Sequence, residues 1–193
     1  SVVFATAANV ASAGLKIYYI RHAEGGHNVK KAWQAKGVPE AEWPAYVGNP
    51  NVFTPLGLKQ QAAVSAKLKK YKFDFIASNP MWRCRNTILP YMKEVGAKGE
   101  IWPELSEQPA SVRILKKDLP KPLVPILGAG GKVKLPANEL EYFSIRKDGT
   151  HRFVIHRGDK EPGAADRSAA NARMVIQNVL DRVKTRFGGT DKS

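Results

Sequence analysis

An arginine–histidine pair follows a short apolar run near the start of the chain. Leu15 to Ile20 is nearly continuous in apolar residues, which is typical of a buried parallel strand, and Arg21 and His22 follow it directly. Arginine presents a planar fork of N–H donors that suits a phosphoryl group, and a neutral imidazole can attack phosphorus. The pair therefore indicates phosphoryl chemistry if other residues converge on it, because a lone Arg-His pair often occurs by chance.

Two further apolar runs are followed by side chains that would complete such a site. Arg83 follows a run at residues 73–77, at the start of the next predicted helix, and helix N-termini attract phosphate. Glu104 and Glu107 follow a short run at residues 100–102, and a carboxyl group there could protonate the leaving oxygen of a phosphate ester. Because parallel strands end at one edge of a sheet, these side chains are expected to meet the Arg-His pair.

The elements that must position these residues alternate between strand and helix. Thr54-Pro55 is typical of an N-cap and first helical residue, and a second helix is predicted over Trp82 to Val95, with Pro90 marking a kink or an early stop. An apolar stripe predicts a last helix over about Asp166 to Phe187. The order predicts an α/β fold with three layers, α/β/α, around a mainly parallel central sheet.

The length of 193 residues suits a single domain. Residues 15–193 are predicted to form it, with a long lid or excursion at residues 29–53 and an irregular insertion at about residues 108–165. Residues 1–14 are interpreted as a signal-peptide remnant or N-terminal arm, because Ala11-Ser12-Ala13 has the form of a signal-peptidase site. A signal remnant predicts a secreted or periplasmic protein, with the cytoplasm as the alternative, and no stretch is long and apolar enough to span a membrane.

The chain is strongly basic. It has 31 Lys and Arg against 17 Asp and Glu, a formal charge of +14, which favours anionic partners. A basic nucleic-acid-binding protein is one such reading, but the lysines are scattered and no stacking-aromatic motif accompanies them, so no specific nucleic-acid partner is expected. The single cysteine, Cys84, excludes an internal disulfide. Four histidines and one cysteine show no metal-ligand spacing, so neither a metal nor another cofactor is predicted.

Several motifs together resemble the histidine phosphatase superfamily, also called phosphoglycerate mutase-like. The resemblance covers roughly residues 15–107 and rests on Arg21-His22-Ala23-Glu24 with Asn28, Thr54-Pro55-Leu56-Gly57, Ser78-Asn79-Pro80 with Arg83 and Thr87, and Leu105 with Glu107. It implies that His22 is the nucleophile that becomes phosphohistidine, and that Glu107 is the proton donor, with Glu104 as its rival. By the same resemblance Arg21, Asn28 and Arg83 would bind the phosphate.

The sequence also departs from the family pattern. Ala23 stands where the family usually has glycine, a variation that the RHG-related branch tolerates. The family has a second active-site histidine in a strand after the last helix, and we expect the chain to be truncated before that strand. His156 is the competing candidate for the second histidine, and His27 is interpreted either as lining the pocket or as a solvated loop residue.

The resemblance implies a phosphatase. Phosphate would pass from a monoester, on a small molecule or a phosphoprotein, to His22 and then to water, and mutase activity is a weaker version of the same hypothesis. The alternative is a phosphate-binding protein with little or no turnover, because the second histidine is missing.

Overall fold

A computed structural model describes residues 2–6, 15–102, 105, 135–145, 176–177 and 179–188. Its strands are β1 (Val2–Thr6), β2 (Lys16–Ile20), β3 (Phe75–Ser78), β4 (Gly99–Ile101) and β5 (Phe143–Ile145). They form one sheet in the order β2-β1-β3-β4-β5. β1 is antiparallel to both of its neighbours, whereas β3, β4 and β5 are paired in parallel, so four of the five strands run in one direction. The predicted α/β fold with a mainly parallel sheet is confirmed.

Helices lie on both faces of this sheet. They are α1 (Gly26–Ala35), α2 (Pro55–Leu68), α3 (Trp82–Val95), the short α4 (Ala137–Leu140), a 3₁₀ turn at Glu40–Glu42, and a C-terminal helix that includes residues 176–177 and 179–187. Alternate residues of β3 divide the core: Ile76 packs with α2 and α3, whereas Phe75 and Ala77 pack with the C-terminal helix. This alternation produces the predicted three layers.

The two long helices begin where the sequence predicts. The Thr54 hydroxyl accepts a hydrogen bond from the Gly57 N–H at 2.9 Å, which makes Thr54 the N-cap of α2, with Pro55 as the first helical residue. Helix α3 passes through Pro90 without stopping there. It ends at Gly96, whose φ of 66° lies in the left-handed region that favours glycine.

Strand β2 is not the buried parallel strand that its apolar composition predicts. It lies at an edge of the described sheet and is paired only with the antiparallel β1. Tyr18 and Ile20 pack against the core that α2 and α3 cover, whereas Ile17 is 42% exposed and Tyr19 is 66% exposed on the other face. The prediction was wrong because an apolar run does not reveal whether both faces of a strand are covered.

Three segments that the sequence left irregular contain regular structure. Residues 29–53, predicted to be a lid or excursion, contribute most of α1 and the 3₁₀ turn. The described part of the predicted insertion at 108–165 provides α4 and β5, and β5 extends the sheet beside β4. Val2–Thr6, interpreted as part of a signal remnant or an N-terminal arm, is β1 and lies between β2 and β3.

A buried ion pair joins α4 to α3. The Arg85 Nε donates to Glu139 Oε2, and both side chains are almost fully buried. Glu139 also accepts a hydrogen bond from Asn86 Nδ2 at 3.1 Å, and Arg85 donates through Nη1 to the carbonyl of Pro80. These bonds tie the segment around α4 to the first turns of α3, and through Pro80 to the loop that follows β3.

Candidate active site

The sheet register places the loops after β2 and β3 at the same edge. Val2, the first residue of β1, is paired with Ile20 at the end of β2 and with Ser78 at the end of β3. Only one strand separates the two strand ends, a distance of about 10 Å at the usual spacing between neighbouring strands. The residues that follow Ile20 and Ser78 can therefore reach a common ligand.

His22 is the central side chain of this edge. Its Nδ1 lies 2.7 Å from the carbonyl oxygen of Ala23, which requires Nδ1 to carry the proton and to donate. In the neutral ring Nε2 is then unprotonated, with its lone pair available to attack an electrophile. Burial lowers the pKa of His22 below its ordinary 6.5, and the nearby charges of Arg83 and Arg21 lower it further, whereas the bond to Ala23 acts in the opposite direction. The neutral, nucleophilic form therefore predominates at pH 7.

Helix α3 is hydrogen-bonded directly to the loop that follows β2 and carries His22, here called the His22 loop. The buried Ala23 donates its N–H to Thr87 Oγ1 at 2.9 Å, and the Thr87 hydroxyl in turn donates to the Arg83 carbonyl at 2.6 Å. Arg83 occupies the first turn of α3, one turn before Thr87, so this chain of bonds holds the start of the helix beside His22. The N–H groups of a helix start add to the positive charge of Arg83 there.

The loop after β3 is held by Asn79. Its Oδ1 accepts a hydrogen bond from the Met81 N–H at 2.8 Å, and its Nδ2 donates to the Leu105 carbonyl at 3.2 Å. Trp82, the first residue of α3, packs on the ring of Phe53 with centroids 4.8 Å apart. These contacts fix the direction in which α3 leaves the sheet, and with it the position of Arg83.

Residues 17–112 match the family model of the histidine phosphatase superfamily (branch 1). The matched segment includes nearly all of β2 together with α1, α2, β3, α3 and β4, and all five predicted site residues fall within it. No curated protein and no solved structure matches the chain. The α/β architecture is consistent with the fold of this superfamily.

The structure brings four of the five predicted site residues to one region. Arg21 and His22 follow β2, Arg83 is the second residue of α3, and Asn28 lies in the first turn of α1. Asn28 Oδ1 accepts a hydrogen bond from the Gly25 N–H at 2.9 Å, so phosphate would be bound by its amide nitrogen instead. Glu107, its rival Glu104, and the candidate second histidine His156 lie outside the described residues.

The conformation of the His22 loop also depends on α2. Thr54 donates its hydroxyl to Glu24 Oε1 at 2.6 Å, and Gln60 Oε1 accepts from the Glu24 N–H at 2.8 Å. Gly57 lies so close to this loop that a Cβ there would stand 2.1 Å from the Glu24 carbonyl oxygen. The Thr54-Pro55-Leu56-Gly57 motif thus supports the loop that carries His22.

We expect Gly57→Ala to destabilise the fold by about 1–3 kcal/mol, since the added methyl group would force the backbone of Glu24 away. In a helix interior the same change ordinarily stabilises by about 0.5–1 kcal/mol, so steric conflict and helix propensity predict opposite signs. Urea unfolding measures the difference. Ala62→Gly, at an exposed position of α2, calibrates the propensity effect, and a more stable Gly57→Ala variant would contradict the close approach.

Two contributions to the site were not assigned from sequence. Thr87 and Gly57 belong to motifs that carry the family resemblance, but the sequence does not predict their contacts with the His22 loop. The signal for Thr87 is its spacing of four residues from Arg83, which places both on one face of α3. Gly57 has no comparable signal in the sequence. Its role depends on the close approach of the Glu24 backbone, which is 33 positions earlier in the chain.

The described ranges hold neither a candidate cluster of metal-ligating side chains nor a helix that could cross a membrane. There, no three His, Cys, Asp or Glu side chains are grouped so that they could hold a metal ion. None of the described helices has the length and apolar character needed to cross a membrane. Cys84, which immediately follows Arg83, is buried in the core with α2 and α3 and is not part of the site.

Proposed function

We propose that this protein is a histidine phosphatase that hydrolyses phosphate monoesters through a phosphohistidine at His22. One observation carries the proposal: the bond from Nδ1 to the Ala23 carbonyl leaves His22 Nε2 as an unprotonated nucleophile, near enough to Arg83 and Arg21 for their charges to lower the pKa of the ring. The match of residues 17–112 to the superfamily, which includes phosphatases and mutases, supports it. Ala23 in place of glycine agrees with an RHA-type variant of the motif.

The proposed reaction has two transfers. His22 Nε2 attacks phosphorus, a P–N bond forms, and the P–O bond to the ester oxygen breaks, so that the alcohol leaves with a proton from a carboxylic acid. Water then attacks the phosphohistidine, the P–N bond breaks, the carboxylate takes the proton of the water, and inorganic phosphate is released. Glu107 is the acid that the family resemblance indicates, and Arg21, Arg83 and Asn28 would hold the phosphoryl oxygens.

Hydrolysis of an aryl phosphate tests this proposal. The wild-type chain is expected to release phosphate, and His22→Ala is expected not to. Release of phosphate by His22→Ala at the wild-type rate would reject the proposal. Phosphate binding without turnover would favour the phosphate-binding alternative, and transfer to an added alcohol or phosphoglycerate without hydrolysis would favour a mutase. Loss of turnover in His156→Ala as well would assign His156 as the second histidine.

Arg83→Ala is expected to lower kcat/KM by about 10²- to 10³-fold, a typical loss when one donor to a developing anion is removed. The substitution should also shift the pH dependence of kcat/KM. The attacking form of His22 is lost as pH falls through its lowered pKa, so the acid limb of kcat/KM lies below pH 6.5 in the wild type. Removal of the Arg83 charge raises that pKa, which shifts the acid limb to higher pH.

The pH dependence of kcat/KM in both proteins provides the measurement. Lys67→Ala is the matched control, because it removes one positive charge from an exposed position near the end of α2. It should leave both the plateau and the acid limb in place. An Arg83→Ala variant with the wild-type plateau and acid limb would show that Arg83 neither binds phosphate nor acts on His22.

A further inference from the structure

Another histidine, His27, lies next to His22 at the same edge of the sheet. His27 lies in the first turn of α1, and its ring centroid is 5.7 Å from that of His22, with the ring planes inclined at 43°. Both rings are half-buried. Such a contact between two imidazoles, next to Arg21 and Arg83, concentrates groups that can bind a phosphate dianion.

The position of His27 depends on two glycines. Gly25 has φ −92° and ψ 159°, a conformation that any residue adopts, so its backbone does not require glycine. A Cβ at Gly25 would instead stand 2.9 Å from His27 Nδ1 and 3.0 Å from Cε1, so one edge of the ring occupies the space of the missing side chain. At Gly26 a Cβ would come within 1.6 Å of the Tyr46 carbonyl, which fixes the start of α1 against the following loop.

We infer that His27 is a phosphate-binding residue of the His22 site. This inference rests on the proposed function and adds a residue that binds the substrate. In an in-line displacement the leaving oxygen departs on the side of phosphorus opposite the nucleophile. A group that lies beside the nucleophilic ring therefore faces the non-bridging oxygens, and His27 donates a ring N–H to one of them while His22 Nε2 attacks. The bond stabilises the charge on those oxygens in both transfers.

Two variants of His27 separate its chemistry from its volume. His27→Ala should lower kcat/KM for an aryl phosphate, and the affinity for inorganic phosphate measured by calorimetry, by about 10- to 100-fold, as expected for one charge-assisted hydrogen bond. His27→Gln keeps an N–H donor and should lose less than His27→Ala in both measurements. Gln34→Ala, at an exposed position of the same helix, is the control and should match the wild type.

Gly25→Ala displaces the ring without changing its chemistry. It should reduce phosphate affinity and kcat/KM in the wild-type background. If the reduction acts through His27, Gly25→Ala should have no further effect in the His27→Ala background, so the double-mutant cycle should be strongly non-additive. Additive losses would mean that Gly25 acts on the loop independently and would count against the inference. Circular dichroism and urea unfolding establish that each variant folds.

The outcomes distinguish this inference from the proposed function. Wild-type turnover that His22→Ala abolishes and His27→Ala leaves unchanged would overturn the role of His27 alone. A His27→Ala variant that hydrolyses alkyl phosphates poorly but binds inorganic phosphate normally would also overturn it, because His27 would then act on the leaving group. If the wild type binds phosphate without turnover, a lower phosphate affinity of His27→Ala would support the inference. An unchanged affinity would overturn it. Absence of both binding and turnover in the wild type would reject both proposals.

Discussion

Replacement of His22 by alanine is expected to lower kcat/KM for an aryl phosphate by at least about 10⁴-fold, the scale of loss when the nucleophile of a covalent mechanism is removed. His22 follows β2, and its Nδ1–H donates to the backbone carbonyl of Ala23, so that Nε2 is the nitrogen available for attack. Arg21 and Arg83, the proposed phosphate ligands, are still present in the variant. Inorganic phosphate should therefore bind with an affinity within about 10-fold of the wild-type value, whereas turnover disappears.

Steady-state kinetics and calorimetry on the same preparation separate these two quantities. Tyr19→Ala is a suitable control, because Tyr19 precedes His22 in the same chain segment and its side chain is largely exposed on β2. This control should retain kcat/KM within about twofold, as substitutions at exposed positions away from a site usually have small effects. A His22→Ala variant with more than a tenth of wild-type kcat/KM would contradict the nucleophilic role.

Glu139→Ala is expected to destabilise the fold by about 3–5 kcal/mol, because it leaves the buried Arg85 without its anionic partner. Asn86 also loses an acceptor for its side-chain amide. Since Arg85 lies two residues after Arg83 in α3, relaxation of this helix start should reduce turnover as well. Urea unfolding monitored by fluorescence and circular dichroism gives the change in free energy of unfolding.

The double variant Arg85→Met with Glu139→Leu tests whether the loss of stability in Glu139→Ala comes from the unpaired buried charge of Arg85. It replaces both charges with apolar side chains, so most of the stability lost in Glu139→Ala should return. The matched single variant Glu94→Ala removes an exposed carboxylate that pairs with Lys69, and it should cost less than about 1 kcal/mol. Equal stability of Glu139→Ala and the wild type would contradict the buried pair.

Local sequence signals determine several elements of this fold directly. Thr54 followed by proline predicts the start of α2, because the cap and the first helical residue are neighbours in sequence. The bounds of α3 follow from its own residues, with a left-handed glycine at the end. The convergence of Arg21, His22 and Arg83 is predictable from the rule that parallel strands end at one edge.

Pairings between distant segments explain what sequence reasoning missed. The exposure of Tyr19 depends on which strands neighbour β2, and no pattern within residues 15–20 specifies that. The insertion of β1 between β2 and β3 is likewise a non-local pairing. Arg85 and Glu139 are 54 positions apart, so the residues that flank each of them in the sequence do not predict their contact. The sequence leaves His27 open between a pocket-lining and a solvated loop residue, and its distance of 5.7 Å from the His22 ring depends on the fold, which no local pattern specifies.

The most direct test of the account is to trap the covalent intermediate. The protein is mixed with an aryl phosphate, quenched in base within milliseconds, digested, and analysed by mass spectrometry for acid-labile phosphate. The account predicts phosphohistidine on the peptide that contains His22, formed and consumed at rates compatible with turnover, and absent from His22→Ala. Turnover in the wild type without phosphate on His22, or with phosphate on another histidine, would contradict it.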